Sequence, residues 1–279
     1  MINIFYTNKN NGPGKVVDYL IKGLDLKGIP YSVNPQNVNS EDNNVFLQNH
    51  RLMNNPQILS NSLIGPNICV LPIDDELVMS QNYKKMLVPS NWVKEKYMKW
   101  LPETKLEIWP VGIDTNSFID TKNENKTIDC LIYYKRRDIH DLRVVEGFLS
   151  SKNQTYKTIS YGGYSENIFL ESIKTAKYGI VIDSCESQGI AIQEMMSSNL
   201  PLLVWDVSFW SDRGEEYKVP ASSIPYWDDV CGERFYSFPD LDSVFNKFID
   251  NLHFYNPRKY ILENLSLSDQ STKLINLFL

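Results

Sequence analysis

The sequence predicts an α/β protein made of two Rossmann-like, doubly wound domains that face each other across a cleft. Three observations carry this. Short apolar runs alternate along the chain with stretches whose apolar residues recur at helical spacing. Several of those runs are apolar throughout, as strands covered on both faces of a parallel sheet must be. The alternation breaks at a polar stretch, Asp120–Lys126, and then begins again. The expected division is 1–118, a linker at 119–126, and 127–279, with the final helix packing back on the N-terminal domain; 279 residues suffice for two such domains.

In order, Ile2–Tyr6 is a strand, Thr7–Gly14 a loop of turn formers, and Lys15–Lys27 a helix with Val16, Val17, Leu20, Ile21 and Leu24 on one face. Gly28-Ile29-Pro30 ends it and Tyr31–Val33 starts the next strand, completing a βαβ unit. Val45–Leu47, Asn67–Pro72 and Lys85–Pro89 read as strands; Ser90 caps a helix over Asn91–Leu101; Leu106–Trp109 is a strand, with a turn at Pro110–Asp114. Beyond the linker, the predicted strands are Ile128–Tyr134, Lys157–Tyr161, Tyr178–Asp183 and Pro201–Trp205. The helices are Asp141–Leu149, Ser165–Thr175, Ile190–Ser198, Leu241–Leu252 and Arg258–Phe278.

Composition removes several function classes. No apolar run approaches the roughly 20 residues of a membrane span, and the chain opens on a strand where a signal peptide would place a basic start. A cytoplasmic protein, at most peripheral to a membrane, is expected. Cys69, Cys130, Cys185 and Cys231 are scattered, and His50, His140 and His253 show no ligand spacing, so no metal is called for. The charge of −6 is uneven: residues 1–118 hold 11 basic and 11 acidic side chains, leaving 17 and 23 for the rest. A local excess (Lys84, Lys85, Lys94, Lys96, Lys99, Lys105 against Glu95 and Glu103) would suit an anionic acceptor, a membrane surface or a DNA backbone. It equally reads as a solvated helix face.

One stretch carries chemistry. A buried strand ends at Asp183, a loop presents Glu186, and Gly189 allows a ligand to approach backbone where a helix begins. A helix start turns free N–H groups and the positive end of its dipole outward, which suits a diphosphate or a sugar hydroxyl. Glu194 lies about five residues into the helix, roughly 7 Å along its axis at about 1.5 Å per residue. Two carboxylates offset in this way can each accept from vicinal hydroxyls.

Glu186 and Glu194 in this strand-loop-Gly-helix setting resemble the Glu-x7-Glu motif of retaining glycosyltransferases with the GT-B fold, of the family 4 type. The likeness continues through Met195–Val204, through Val88–Val93 and Pro110–Asp114, and through Gly12-Pro13-Gly14, in the family's order. It implies a nucleotide-diphosphate sugar as substrate with no cofactor or metal, Glu186 at the donor sugar, and the amides of Gln188, Gly189, Ile190 and Ala191 on sugar and phosphate. Glu194 would take the ribose, and His50 would lie near the reacting sugar. Gly12, Gly14, Gly112, Arg137 and Gly162 are assigned to the donor side, and Asp74 and Asp75 to the acceptor. For His50, the glycines and the two aspartates, a surface histidine, ordinary turns and a helix cap are the competing readings.

One departure stands out. The family places an Arg after the first strand of its second domain and a Lys five positions later. Here Lys135-Arg136-Arg137 follows the strand, and the residue five beyond Arg136 is Asp141. Lys135 and Arg136 are the expected catalytic cations, with Arg137 on the donor, although which of the three meets the diphosphate is open. Trp205-Asp206, Asp212-Arg213-Gly214 and Pro225–Asp229 suit sugar contact or packing alike. The resemblance implies transfer with retention to a hydroxyl of a glycolipid, polysaccharide or other glycoconjugate, by a hexosyl- or pentosyltransferase of unknown oligomeric state. A viral enzyme acting on a modified DNA base, a non-catalytic nucleotide-sugar-binding module and an epimerase are the alternatives.

Overall fold

The computed structural model of the chain describes residues 1–9, 11–214 and 216–279. It divides into two compact units, Met1–Gly112 with Leu265–Leu279, and Ile113–Asn264.

The first unit is built on β1 (Ile2–Phe5), α1 (Asn11–Leu26), β2 (Tyr31–Val33), β3 (Asn43–Gln48), α2 (Pro56–Leu59), β4 (Leu63–Asn67), α3 (Glu76–Ser80), β5 (Lys85–Val88), α4 (Asn91–Tyr97) and β6 (Leu106–Ile108). The strands form one parallel sheet in the order β2-β1-β3-β4-β5-β6. β1 is buried at every position, and α1 turns Val16, Val17, Leu20 and Leu24 into the core.

In this unit, α1 and β4 depart from the sequence reading. α1 begins four residues before Lys15 and takes in Gly12-Pro13-Gly14, because proline is tolerated in a first turn whose N–H groups lack helical partners anyway. Asn10, within the expected loop, lies outside the described residues. The fourth strand is Leu63–Asn67, not Asn67–Pro72. Ile68 and Leu71 are buried, but beyond the end of the strand, without ladder partners. The apolar run was a true core signal and a false strand signal.

The second unit contains β7 (Ile128–Lys135), α5 (Ile139–Ser151), β8 (Tyr156–Ser160), α6 (Glu166–Thr175), β9 (Ala176–Asp183), α7 (Ile190–Ser197), β10 (Leu202–Trp205), a small hairpin of β11 (Phe209–Trp210) and β12 (Val219–Pro220), β13 (Gly232–Phe235), α8 (Leu241–Asp250) and α9 (Pro257–Asn264). Its parallel sheet runs β13-β10-β9-β7-β8. Cys130, Ile132, Ile180, Ile182 and Leu203 from the strands pack with Val145, Leu149, Phe245 and Phe248 from the helices.

The unit boundary falls at Gly112/Ile113, and the 119–126 segment belongs to the second unit. There Thr121 is buried and donates through both N and Oγ1 to the Ser198 carbonyl, at 3.0 and 2.9 Å. Arg258 of α9 braces the same region. Its guanidinium donates to the carbonyls of Phe118 (2.7 Å), Thr115 (3.1 Å) and Ser197 at the end of α7.

The chain then returns to the first unit as α10 (Leu267–Asn276). The long helix expected from Arg258 is therefore two, broken where Ser266 caps α10 by accepting from the Asp269 amide at 3.1 Å. α10 lies so close to α1 that a Cβ on Gly23 would stand 2.0 Å from Ser271 Oγ. No helix among the described residues is long and apolar enough to cross a membrane.

Candidate functional site

In an open parallel sheet, ligands bind beyond the carboxyl ends of the strands where the strand order reverses. In the second unit that point lies between β7 and β9, since β8 leaves β7 on one side and the chain resumes on the other. The register makes Lys135 and Asp183, the last residues of these strands, direct neighbours. Lys135 Nζ donates to Glu186 Oε1, lies 3.9 Å from Asp183 Oδ2, and stands 4.5 Å above the Tyr161 ring.

All three ionisable groups are nearly removed from water: Asp183 is 0 % exposed, Glu186 8 % and Lys135 9 %. Burial, and then the neighbouring Glu186 carboxylate, push the Asp183 carboxyl up to about 9; Lys135 and the Ser184 amide oppose this without reversing it. Burial and the neighbouring carboxylate thus both favour the protonated form of Asp183. The sequence singled out Lys135 and Glu186 but gave Asp183 no role of its own.

Gly189 then turns the chain into α7. Its φ of 85° belongs to the left-handed region, while a Cβ would meet nothing nearer than 3.6 Å, so conformation and not space requires glycine. The first amides of α7, at Ile190 and Ala191, have no acceptor within the helix, as at any helix start. Gln188 is fixed by paired bonds with Gln193, Nε2 to Oε1 at 3.0 Å and Gln193 Nε2 to the Gln188 carbonyl at 3.0 Å. Glu194 lies in the second turn and is fully buried. Burial and then the Glu194 charge push the Tyr164 hydroxyl up to about 12, and Tyr164 stacks on Phe169 with centroids 5.0 Å apart. Tyr161 and Tyr164 flank Gly162, which is exposed at φ 78°.

The three consecutive cations have different fates. Lys135 is held by Glu186. Arg137 is committed to the scaffold: Nε donates to Asp141 at 2.8 Å, Nη1 to the Trp205 and Asp183 carbonyls at 2.8 and 3.3 Å, and its guanidinium lies 4.5 Å from the Trp205 ring. Asp141, five residues beyond Arg136, thus orients Arg137. Arg136 is exposed, with φ at 51° and its guanidinium 6.0 Å from the Tyr161 ring.

Asp206 resolves as a buried clip, accepting from Val207 N (2.8 Å), Ser222 Oγ (2.9 Å) and Ser223 N (2.7 Å). Ser223 Oγ donates onward to the Asp183 and Ser184 carbonyls, and the Glu186 amide to the Ser222 carbonyl. The loop bearing Glu186 is thereby tied to the segment after β12.

The remaining assigned residues lie in the first unit. Its strand order reverses between β1 and β3, and there Gln48 accepts from the Asn8 and Thr7 amides at 2.9 and 3.3 Å, holding the loop before α1. His50 follows β3. Its Nδ1 accepts from the Leu52 amide at 3.3 Å, its ring packs 5.1 Å from Phe5, and burial, then Arg51, lower its pKa. Gly12 has open space where a Cβ would be, whereas at Gly14 that space is filled by the Lys9 carbonyl, 1.7 Å away.

In the same manner, a Cβ on Gly112 would stand 2.5 Å from the Leu267 Cα. Asp75 is a helix cap, accepting from the Val78 amide at 3.0 Å, and Asp74 is exposed. The lysines of the basic stretch are largely occupied: Lys84 donates to the Phe278 carbonyl at 3.1 Å, Lys85 to Thr104 at 2.6 Å and Lys105 to Tyr83, Lys94 pairs with Glu103 at 2.8 Å, and Lys96 is buried between Trp92 and Tyr97.

No protein-family model matches the chain, and no curated protein matches it in sequence. Solved structures do match. The lipopolysaccharide outer core galactosyltransferase WaaB aligns at 12 % identity and TM-score 0.59, over 99 % of both chains. Sucrose-phosphate synthase from Thermosynechococcus elongatus aligns at 10 % and 0.60, over 99 % of this chain and 98 % of that one. S. aureus TarM, solved with Fondaparinux, alpha-GlcNAc-glycerol and UDP, aligns at 12 % and 0.53, over 73 % of this chain and 46 % of that one. The two parallel-sheet α/β units are those of the GT-B glycosyltransferase fold.

Proposed function

We propose that the chain is a retaining glycosyltransferase that takes its sugar from a nucleotide-diphosphate donor and passes it to a hydroxyl acceptor. The observation that carries this reading is the convergence of Lys135, Glu186 and the start of α7 on the switch point of the second sheet. The fold neighbours named as galactosyltransferase and sucrose-phosphate synthase, and the UDP in the TarM complex, agree with it.

In this reading the diphosphate lies against the first amides of α7, where the helix dipole favours negative charge. Lys135 and Arg136 stabilise the charge that grows on the leaving phosphate. Glu186 accepts from sugar hydroxyls and Glu194 serves the ribose. Retention follows from attack on the face the diphosphate leaves, with the leaving phosphate receiving the acceptor's proton. The protein then supplies position and electrostatics, with neither a carboxylate nucleophile nor a metal.

Calorimetric titration with UDP, GDP, ADP and CMP, and their sugar conjugates, tests the reading. One nucleotide should bind, Arg136→Ala should weaken it about tenfold, the worth of one charge-assisted bond, and the melting temperature should not move. Arg137→Ala should lower the melting temperature, since it strands two carbonyls and Asp141. If no nucleotide binds, or Arg136→Ala binds like the parent, the donor assignment is wrong.

A further inference from the structure

Two carboxyl groups and one ammonium share the end of β7 and β9, nearly out of water. Fully ionised, the trio carries a charge of −1 where the donor reading needs to admit a diphosphate. With one proton on a carboxyl it is neutral. The geometry says which carboxyl holds that proton. Glu186 is paired with the Lys135 ammonium, whereas Asp183 is farther from it at 3.9 Å and is the more deeply buried.

The other groups around Asp183 leave that choice in place. Arg137 spends its Nη1 on the Asp183 and Trp205 backbone carbonyls and its Nε on Asp141. Ser223 donates to the Asp183 carbonyl, and the Ser184 amide donates to Oδ1 at 2.6 Å. Tyr133 and Tyr164 are raised by burial and stay neutral; Tyr161 lies under the lysine, and Glu194 lies on the Tyr164 side.

We propose that Asp183 is a positioning residue of the donor site: it keeps a proton so that Lys135 can leave Glu186 for the diphosphate without exposing two bare carboxylates to it. This rests on the donor reading above. With Lys135 turned to phosphate, the Asp183 O–H donates to the Glu186 carboxylate, and Glu186 stays in place to meet the sugar. When Asp183 loses its proton, Lys135 is held by two anions and the incoming diphosphate meets an added negative charge. Raising the pH therefore weakens donor binding. The value of about 9 for Asp183 puts the loss above physiological pH.

Two measurements decide it. In the ligand-free protein labelled with ¹³C at aspartate carboxyls, one signal should titrate above pH 7.5, and Asp183→Asn should delete it. If that variant does not fold, Glu186→Gln makes the assignment by moving the same titration to lower pH, because it removes the adjoining like charge. No aspartate titrating above pH 6 overturns the proposal. Second, the Kd of the bound nucleoside diphosphate should rise about tenfold for each pH unit above the Asp183 midpoint in the parent, and stay flat in Asp183→Asn once ionisation of the base, common to both, is subtracted. Parallel profiles overturn it. If no nucleoside diphosphate binds at any pH, the donor reading falls and takes the role at the diphosphate with it, while the carboxyl titration still decides where the proton resides.

Discussion

Replacing Asp183 by Asn should make the protein more stable, and increasingly so as the pH rises. In the unfolded chain an Asp titrates near 3.9, whereas in the folded protein Asp183 is held near 9, chiefly by burial and by Glu186. Between those values the native state binds one proton more than the unfolded state, so stability falls with rising pH by about 1.4 kcal/mol per unit. From pH 5 to pH 8 the parent thus loses about 4 kcal/mol on this one group. Asn has the shape of the protonated acid and does not titrate, so it escapes that loss. Urea unfolding of both proteins at pH 5, 6, 7 and 8 gives the test. The difference in unfolding free energy should widen steadily in favour of the variant, with other titrations cancelling because both proteins share them. Parallel stability curves would show that Asp183 is ionised in the folded protein, and the account of the Lys135–Glu186–Asp183 cluster would have to be abandoned.

Two further predictions concern the scaffold. Gly12→Ala meets open space and should change stability by less than about 1 kcal/mol, while Gly14→Ala drives a Cβ into the Lys9 carbonyl and should cost about 2 kcal/mol or more; equal melting temperatures would refute the close approach. Arg258→Ala removes a guanidinium bonded to three backbone carbonyls and should cost roughly 3 kcal/mol in urea unfolding, with Arg258→Lys restoring only part because an ammonium cannot span the same fork. A loss below about 1 kcal/mol would mean that water replaces those bonds.

Strands buried over most of their length announce themselves. β1, β5, β7 and β9 were legible because every residue between two sheet faces must be apolar or paired. β13 was not, since Gly-Glu-Arg-Phe has a single large apolar residue and joins the sheet at its edge. β4 was misplaced because the chain puts its apolar run after the strand and a proline within it, and proline within a strand argues against one. At the site, the spacing of Glu186, Gly189 and Glu194 was visible. The division of labour among Lys135, Arg136 and Arg137 was not, for three adjacent cations differ only in where the backbone turns them. Asp206 carried a real signal, a carboxylate beside an aromatic residue, but only the fold turns it inward to Ser222 and Ser223. The raised pKa of Asp183 is beyond sequence altogether, because it depends on burial and on which strand lies alongside.

The return of α10 to α1 has a consequence for how the molecule is made. A polypeptide emerges from the ribosome in order, and domains tend to close as they emerge. The second unit, Ile113–Asn264, is contiguous and has all its residues available before α10 has been synthesised. The first unit has been waiting since its sheet was finished, with the groove at Gly23 that receives Ser271 still bare. The earlier-born half of the protein is thus the later to mature.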